Sequence, residues 1–71
     1  MDEQTKVKKE LIAKLKTISD DREFLLSVIN SARDIEDREA VIYFIDNAED
    51  VTYEDVILFA LTLYEKRNEK K

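Results

Sequence analysis

Residues 52–68 read Thr52-Tyr53-Glu54-Asp55-Val56-Ile57-Leu58-Phe59-Ala60-Leu61-Thr62-Leu63-Tyr64-Glu65-Lys66-Arg67-Asn68. Two structures compete for this stretch. Val56–Leu61 is rich in β-branched and aromatic residues, as is Ala40–Ile45 upstream, and such runs suit buried strands. The flanks point the other way. Thr52 is a good N-cap, Glu54 and Asp55 follow it in the first turn, and Lys66 and Arg67 stand at the far end, so both ends match the helix dipole. No Gly-bearing turn separates the two apolar runs, because the chain contains no Gly and no Pro. A hairpin without such a turn is a poor reading. The stretch is therefore expected to be a helix, and the chain all-α.

The rest of the chain repeats that logic. Val7, Leu11, Leu15 and Ile18 recur at spacings of four, four and three, which predicts a helix over about Asp2–Thr17 with Ile12 widening its buried face. A cap signal at Ser19 or Asp20 opens a second helix, about Asp21–Ala32, with Phe24, Leu25, Val28, Ile29 and Ala32 on one side. Asp34 caps a third, about Ile35–Ala48, with Ala40, Val41, Phe44, Ile45 and Ala48 inward. Without Gly, the helix ends fall to Asn30, Asn47 and Asn68 as caps. An echo links the middle helices at an offset of 16 residues: Asp21-Arg22-Glu23 returns as Asp37-Arg38-Glu39, and Ile29 and Ala32 return as Ile45 and Ala48. The expected architecture is one domain over residues 1–71, a compact four-helix bundle with a longer N-terminal helix and three short ones in a 16-residue rhythm.

Composition narrows function by what it removes. The chain has 71 residues, 41% of them charged, and no His, Cys or Trp. Without His and Cys there is no easy general base near neutral pH and no thiolate nucleophile. Without Gly there is no phosphate-cradling loop. Carboxylate pairs at Asp20-Asp21, Glu36-Asp37, Glu49-Asp50 and Glu54-Asp55 all fall at helix starts or loops, where they serve the dipole and stay solvated. No catalytic residue is assigned, and no cofactor. Asp46, Glu49 and Asp50 resemble a hard-cation cluster only in composition, since the alternation and Gly of a calcium loop are missing, so no metal site is assigned. A domain this small has a thin core, worth about 3–5 kcal/mol, with no disulfide or zinc to reinforce it. No apolar segment follows Met1–Gln4, so no signal peptide is expected; the longest apolar run, Val56–Leu61 extended past Thr62 by Leu63-Tyr64, is far short of a membrane span, and a cytoplasmic protein is the default. Abundant Lys, Glu, Asp and Ile without Gly or Pro also suits an AT-rich bacterial or phage genome.

Charge is unevenly spread over a total of −5. Residues 1–17 carry +2, residues 18–52 carry −7, and the remainder is neutral. Two partner classes follow. Lys6, Lys8, Lys9, Lys14 and Lys16 could line a nucleic-acid backbone, although no recognition signature or interleaved aromatic accompanies them. The acidic middle would instead steer the chain to a basic protein surface, even one that normally receives nucleic acid.

The fourth helix adds the second clue. It is apolar over most of its circumference, and a helix apolar all round must be covered all round. Either the first helix covers it, or Tyr43, Phe59, Leu63 and Tyr64 meet another chain. Tyr43 aligns with Ser27 in the echo, which places it at the surface. The sequence thus reads as a small acidic non-enzymatic interaction module, a regulator, inhibitor or immunity-type protein. Its partner-binding residues are Tyr43, Asp46, Glu49, Asp50, Phe59, Leu63 and Tyr64. A nucleic-acid binder through the first helix, or a structural homodimer, is the alternative.

Overall fold

The computed structural model describes residues 2–69, and its elements are four helices: α1 (Glu3–Lys16), α2 (Arg22–Ser31), α3 (Ile35–Asn47) and α4 (Tyr53–Glu69). Among the described residues there is no strand. Both apolar runs are helical, as their capping flanks require. The all-α four-helix class expected from the sequence is the one observed. The lengths differ from expectation: α4, at 17 residues, is longer than α1, at 14. The later helices begin at Arg22, Ile35 and Tyr53, so their starts are unevenly spaced along the chain.

Side chains set each helix start. Asp2 caps α1 by accepting from the Thr5 amide at 2.8 Å, which holds its carboxyl below the ordinary value. Asp21, one residue beyond the expected Ser19 or Asp20, caps α2 through the Glu23 amide at 3.0 Å. Thr52 and Asp55 form a reciprocal capping box at α4: the Asp55 amide donates to Thr52 Oγ1 at 3.3 Å and the Thr52 amide to Asp55 Oδ2 at 3.2 Å.

The helix ends correct the expectation of asparagine caps. No Asn takes the left-handed conformation; the one described residue that does is Asp50, at φ 55° in the α3–α4 loop. Arginines complete α2 instead. Arg33 Nε donates to the Asn30 carbonyl at 3.0 Å and Arg38 Nε to the Ala32 carbonyl at 2.7 Å. Asn47 serves α3 through its side chain, donating to the Tyr43 carbonyl at 2.9 Å, and Asn68 lies within α4. A guanidinium reaches exposed carbonyls without requiring a positive φ, which is how the chain ends α2 without Gly.

The most extensive packing is between helices that are not consecutive in the chain. α1 packs on α3 and α2 on α4, with α3 also against α4 and α1 against α2. Lys14 meets Asp46, and Val7 shares a depression with Glu39, so α1 and α3 run parallel. Phe24 meets the Tyr53 ring edge-on at 6.2 Å, and Ser31 lies beside Tyr64, so α2 and α4 run parallel too. Asp37 against Arg67 and Phe44 against Phe59 make α3 and α4 antiparallel. The α1–α2 and α3–α4 loops consequently share one end of the molecule, which gathers Asp20, Asp21, Glu49, Asp50, Glu54 and Asp55.

Leu11, Leu15, Val28, Val41 and Val56 form the fully buried centre, flanked by Val7, Phe24, Ala32, Ile42 and Ala60. Ala60 allows α2 and α4 to approach closely. The α3 face is rotated from expectation. Val41 and Ile42 point inward, whereas Ala40, Phe44, Ile45 and Ala48 are half-buried at its edges. A run of six apolar residues defines no single stripe, so neighbouring helices select which side is covered.

Candidate functional site

The antiparallel α3–α4 pair does not close completely along its outer seam. Ala40, Tyr43, Phe44, Asn47 and Ala48 of α3 and Phe59 of α4 line an apolar groove of about 360 Å³. Its floor is a stacked pair: the Phe44 and Phe59 rings lie 4.5 Å apart and within 6° of parallel. Helical spacing explains the set, since residues 40, 43, 44 and 47 fall on one face. Tyr43 stands at the lip and is 71% exposed. Exposed Glu39 and Asp46 lie one turn to either side of it, and exposed Glu49 and Asp50 follow the end of α3.

The structure brings some predicted residues together and separates others. Tyr43 and Phe59 share the groove. Leu63 lies one turn further along α4 in a second depression with Glu36, Asp37, Lys66 and Arg67. Tyr64 turns to the other side of α4, beside Ser31, Arg33 and Asp34. The four do not form one contact. The idea that α1 covers the Phe59–Leu63 face is also corrected: Phe44 of α3 covers Phe59, and α1 has its main contact with α3.

Asp46 is committed within the fold. Lys14 Nζ lies 2.7 Å from its Oδ1, tying α1 to α3. Lys14 is thereby withdrawn from any free lysine face on α1. The hydrogen bond to Asp46 and then its negative charge raise the Lys14 pKa above the ordinary 10.5. A raised folded value means that the contribution to stability is complete below 10.5 and is lost as pH rises through the folded pKa. The stability difference between the wild type and Lys14→Met is expected to shrink as pH is taken past 10.5, checked by urea denaturation at stepped alkaline pH. A constant difference would show that the bridge contributes nothing.

One cluster departs from the sequence-based expectation. Asp37 is only 7% exposed, although its pairing with Glu36 at a helix start marks it as solvated. Arg67 grips it with both arms, Nε on Oδ2 and Nη2 on Oδ1 at 3.2 Å, while Nη1 lies 2.7 Å from Asp34 Oδ2. The hydrogen bond to Asp37, with the nearby negative charges of Asp37, Asp34 and Glu36, raises the Arg67 pKa further. Asp34 accordingly makes no side-chain capping bond to α3. Asp37 precedes Val41 by four residues and so shares its face of α3, but which face is buried is not selected by the run of apolar residues from Ala40 to Ile45.

Comparison with protein-family models, curated proteins and solved structures finds no match to this chain. Among the described residues, no helix is long and apolar enough to cross a membrane.

Proposed function

We propose that the protein is a small, non-enzymatic interaction module that binds a basic protein surface through the α3–α4 groove. It acts by occupying that surface, as a regulator, inhibitor or immunity-type protein does. The observation that carries this reading is Tyr43, an exposed aromatic at the lip of an apolar groove, with carboxylates around it. Aromatic residues seated between an apolar pocket and charged surroundings are favoured as interface anchors. The ring supplies contact area at little entropic cost, and Glu39, Glu49 and Asp50 favour encounter with cationic surfaces. The total charge of −5 acts in the same direction.

Affinity capture from the source cells, followed by binding measurements with the purified captured protein, tests this. Tyr43→Ser is expected to weaken binding about tenfold or more. Glu49→Gln with Asp50→Asn is expected to slow association and flatten its salt dependence. Asn suits the left-handed backbone at position 50, and neither change touches the Lys14–Asp46 bridge. A captured protein whose affinity and salt response are unaffected by both variants would refute the groove reading.

A further inference from the structure

The outer side of α4 departs from what a solvated helix face should be. Leu58 is 63% exposed and Leu61 42%, on a helix whose inward side is held by Val56 and Ala60. The two leucines sit three residues apart and are adjacent on the surface. Exposed Glu54 lies four residues before Leu58, and exposed Glu65 four residues after Leu61. The stripe Glu54-Leu58-Leu61-Glu65 is thus an apolar pair with a carboxylate at each end. At the helical rise, its ends are roughly 16 Å apart. The hydroxyl of Thr62, at its edge, is already used on the Leu58 carbonyl at 2.8 Å.

We propose that this stripe is a second docking surface, separate from the Tyr43 groove, and that it receives a basic amphipathic helix of a partner protein. Charge decides against a second copy of this chain. An antiparallel pairing that sets Leu58 on Leu61 of another copy also sets Glu54 on Glu65. A parallel pairing sets each glutamate on itself. Either way carboxylates meet carboxylates, between molecules that each carry −5. The lysine face of α1 offers no complement either, because Lys6, Lys9 and Lys16 surround Ala13, and Ile12 at the edge is a single half-buried side chain rather than an exposed apolar pair. The fitting occupant carries two apolar side chains on one helical face, between Lys or Arg residues about eleven positions apart.

Two synthetic helical peptides test this: one with a central leucine pair between lysines eleven positions apart, the other with glutamates in place of the lysines. Titrated into isotopically labelled protein, the lysine peptide is expected to shift the amide resonances of Glu54, Leu58, Leu61 and Glu65, and the glutamate peptide is not. Leu58→Ser with Leu61→Ser is expected to weaken binding about tenfold while leaving the thermal midpoint near that of the wild type, since both side chains are exposed. Shifts confined to Tyr43, Phe44 and Phe59 would overturn the stripe and leave the groove standing. Equal response to both peptides, response to neither, or a sedimenting dimer that the serine variant dissolves would also overturn it.

Discussion

Replacing Leu11 with alanine is expected to destabilise the fold by about 2–5 kcal/mol. Leu11 is fully buried at the centre of the α1 stripe, between Val7 and Leu15. The change removes its transfer energy and leaves a cavity that rigid helical neighbours fill only in part. A core of this size supplies about 3–5 kcal/mol in total, so much of the population should unfold at room temperature. In a domain of this length each kcal/mol moves the thermal midpoint by about 4–8 °C. Far-UV circular dichroism against temperature and urea measures the loss. Ile12→Ala, at a half-buried position next along the chain, is the control and should cost clearly less. Equal losses at the two positions would contradict the orientation given to α1.

The second large effect is expected from Asp37→Ala. Asp37 is the buried attachment point for Arg67, and through it the last turns of α4 are fixed to the first turn of α3. Without it, Arg67 keeps only exposed partners, Asp34 and Glu36, in water that screens them. Local opening should follow at that end. Amide hydrogen exchange at Leu63–Arg67 is expected to accelerate roughly tenfold or more, while exchange at Val56 and Ala60 follows only the global stability. Glu36→Gln should leave Leu63–Arg67 protected, because the Glu36 carboxylate is 4.0 Å from Arg67 and largely exposed. An unchanged α4 terminus in Asp37→Ala would show that apolar packing alone holds it.

These two residues also mark how much of the fold is legible in the sequence. Leu11 is legible because α1 separates its apolar and charged positions cleanly, and Asp2 supplies a cap where the stripe begins. Helix rather than strand is legible at α4 from Thr52 and the charges on its flanks. The inward side of α3 is not. Ala40 through Ile45 are apolar in succession, so periodicity selects no face, and the choice falls to the helices packed against it. Asp37 shows the same limit for charge. Its burial depends on an arginine 30 residues away, a relation that local spacing does not contain. Asparagine capping follows from backbone preference alone, whereas Arg33 and Arg38 reach the α2 carbonyls from outside the helix.

Within the proposed site, the alignment of Tyr43 with Ser27 marks it as exposed, and it is. The sequence groups Tyr43 with Phe59, Leu63 and Tyr64 in one contact, because apolar side chains run all round α4. The groove keeps Tyr43 with Phe59, adds Phe44 and leaves Leu63 and Tyr64 out, since α3 lies on only one side of α4. Asp46 reads as a free carboxylate in the sequence because its partner, Lys14, sits on a helix distant in sequence and neighbouring in space. The exposure of Leu58 and Leu61 has the same cause. A helix apolar all round is expected to be covered all round, and α1 is packed elsewhere.

The most direct test of the central claim is photo-crosslinking in the source cells from benzoyl-phenylalanine placed at position 43, with position 9 on the outer face of α1 as the control. A discrete light-dependent adduct to one protein from position 43, absent from position 9 and lowered in yield by Glu49→Gln with Asp50→Asn, is the predicted result. Adducts of equal yield from both positions, or none from position 43, would contradict the assignment of the α3–α4 groove as the surface through which this protein acts.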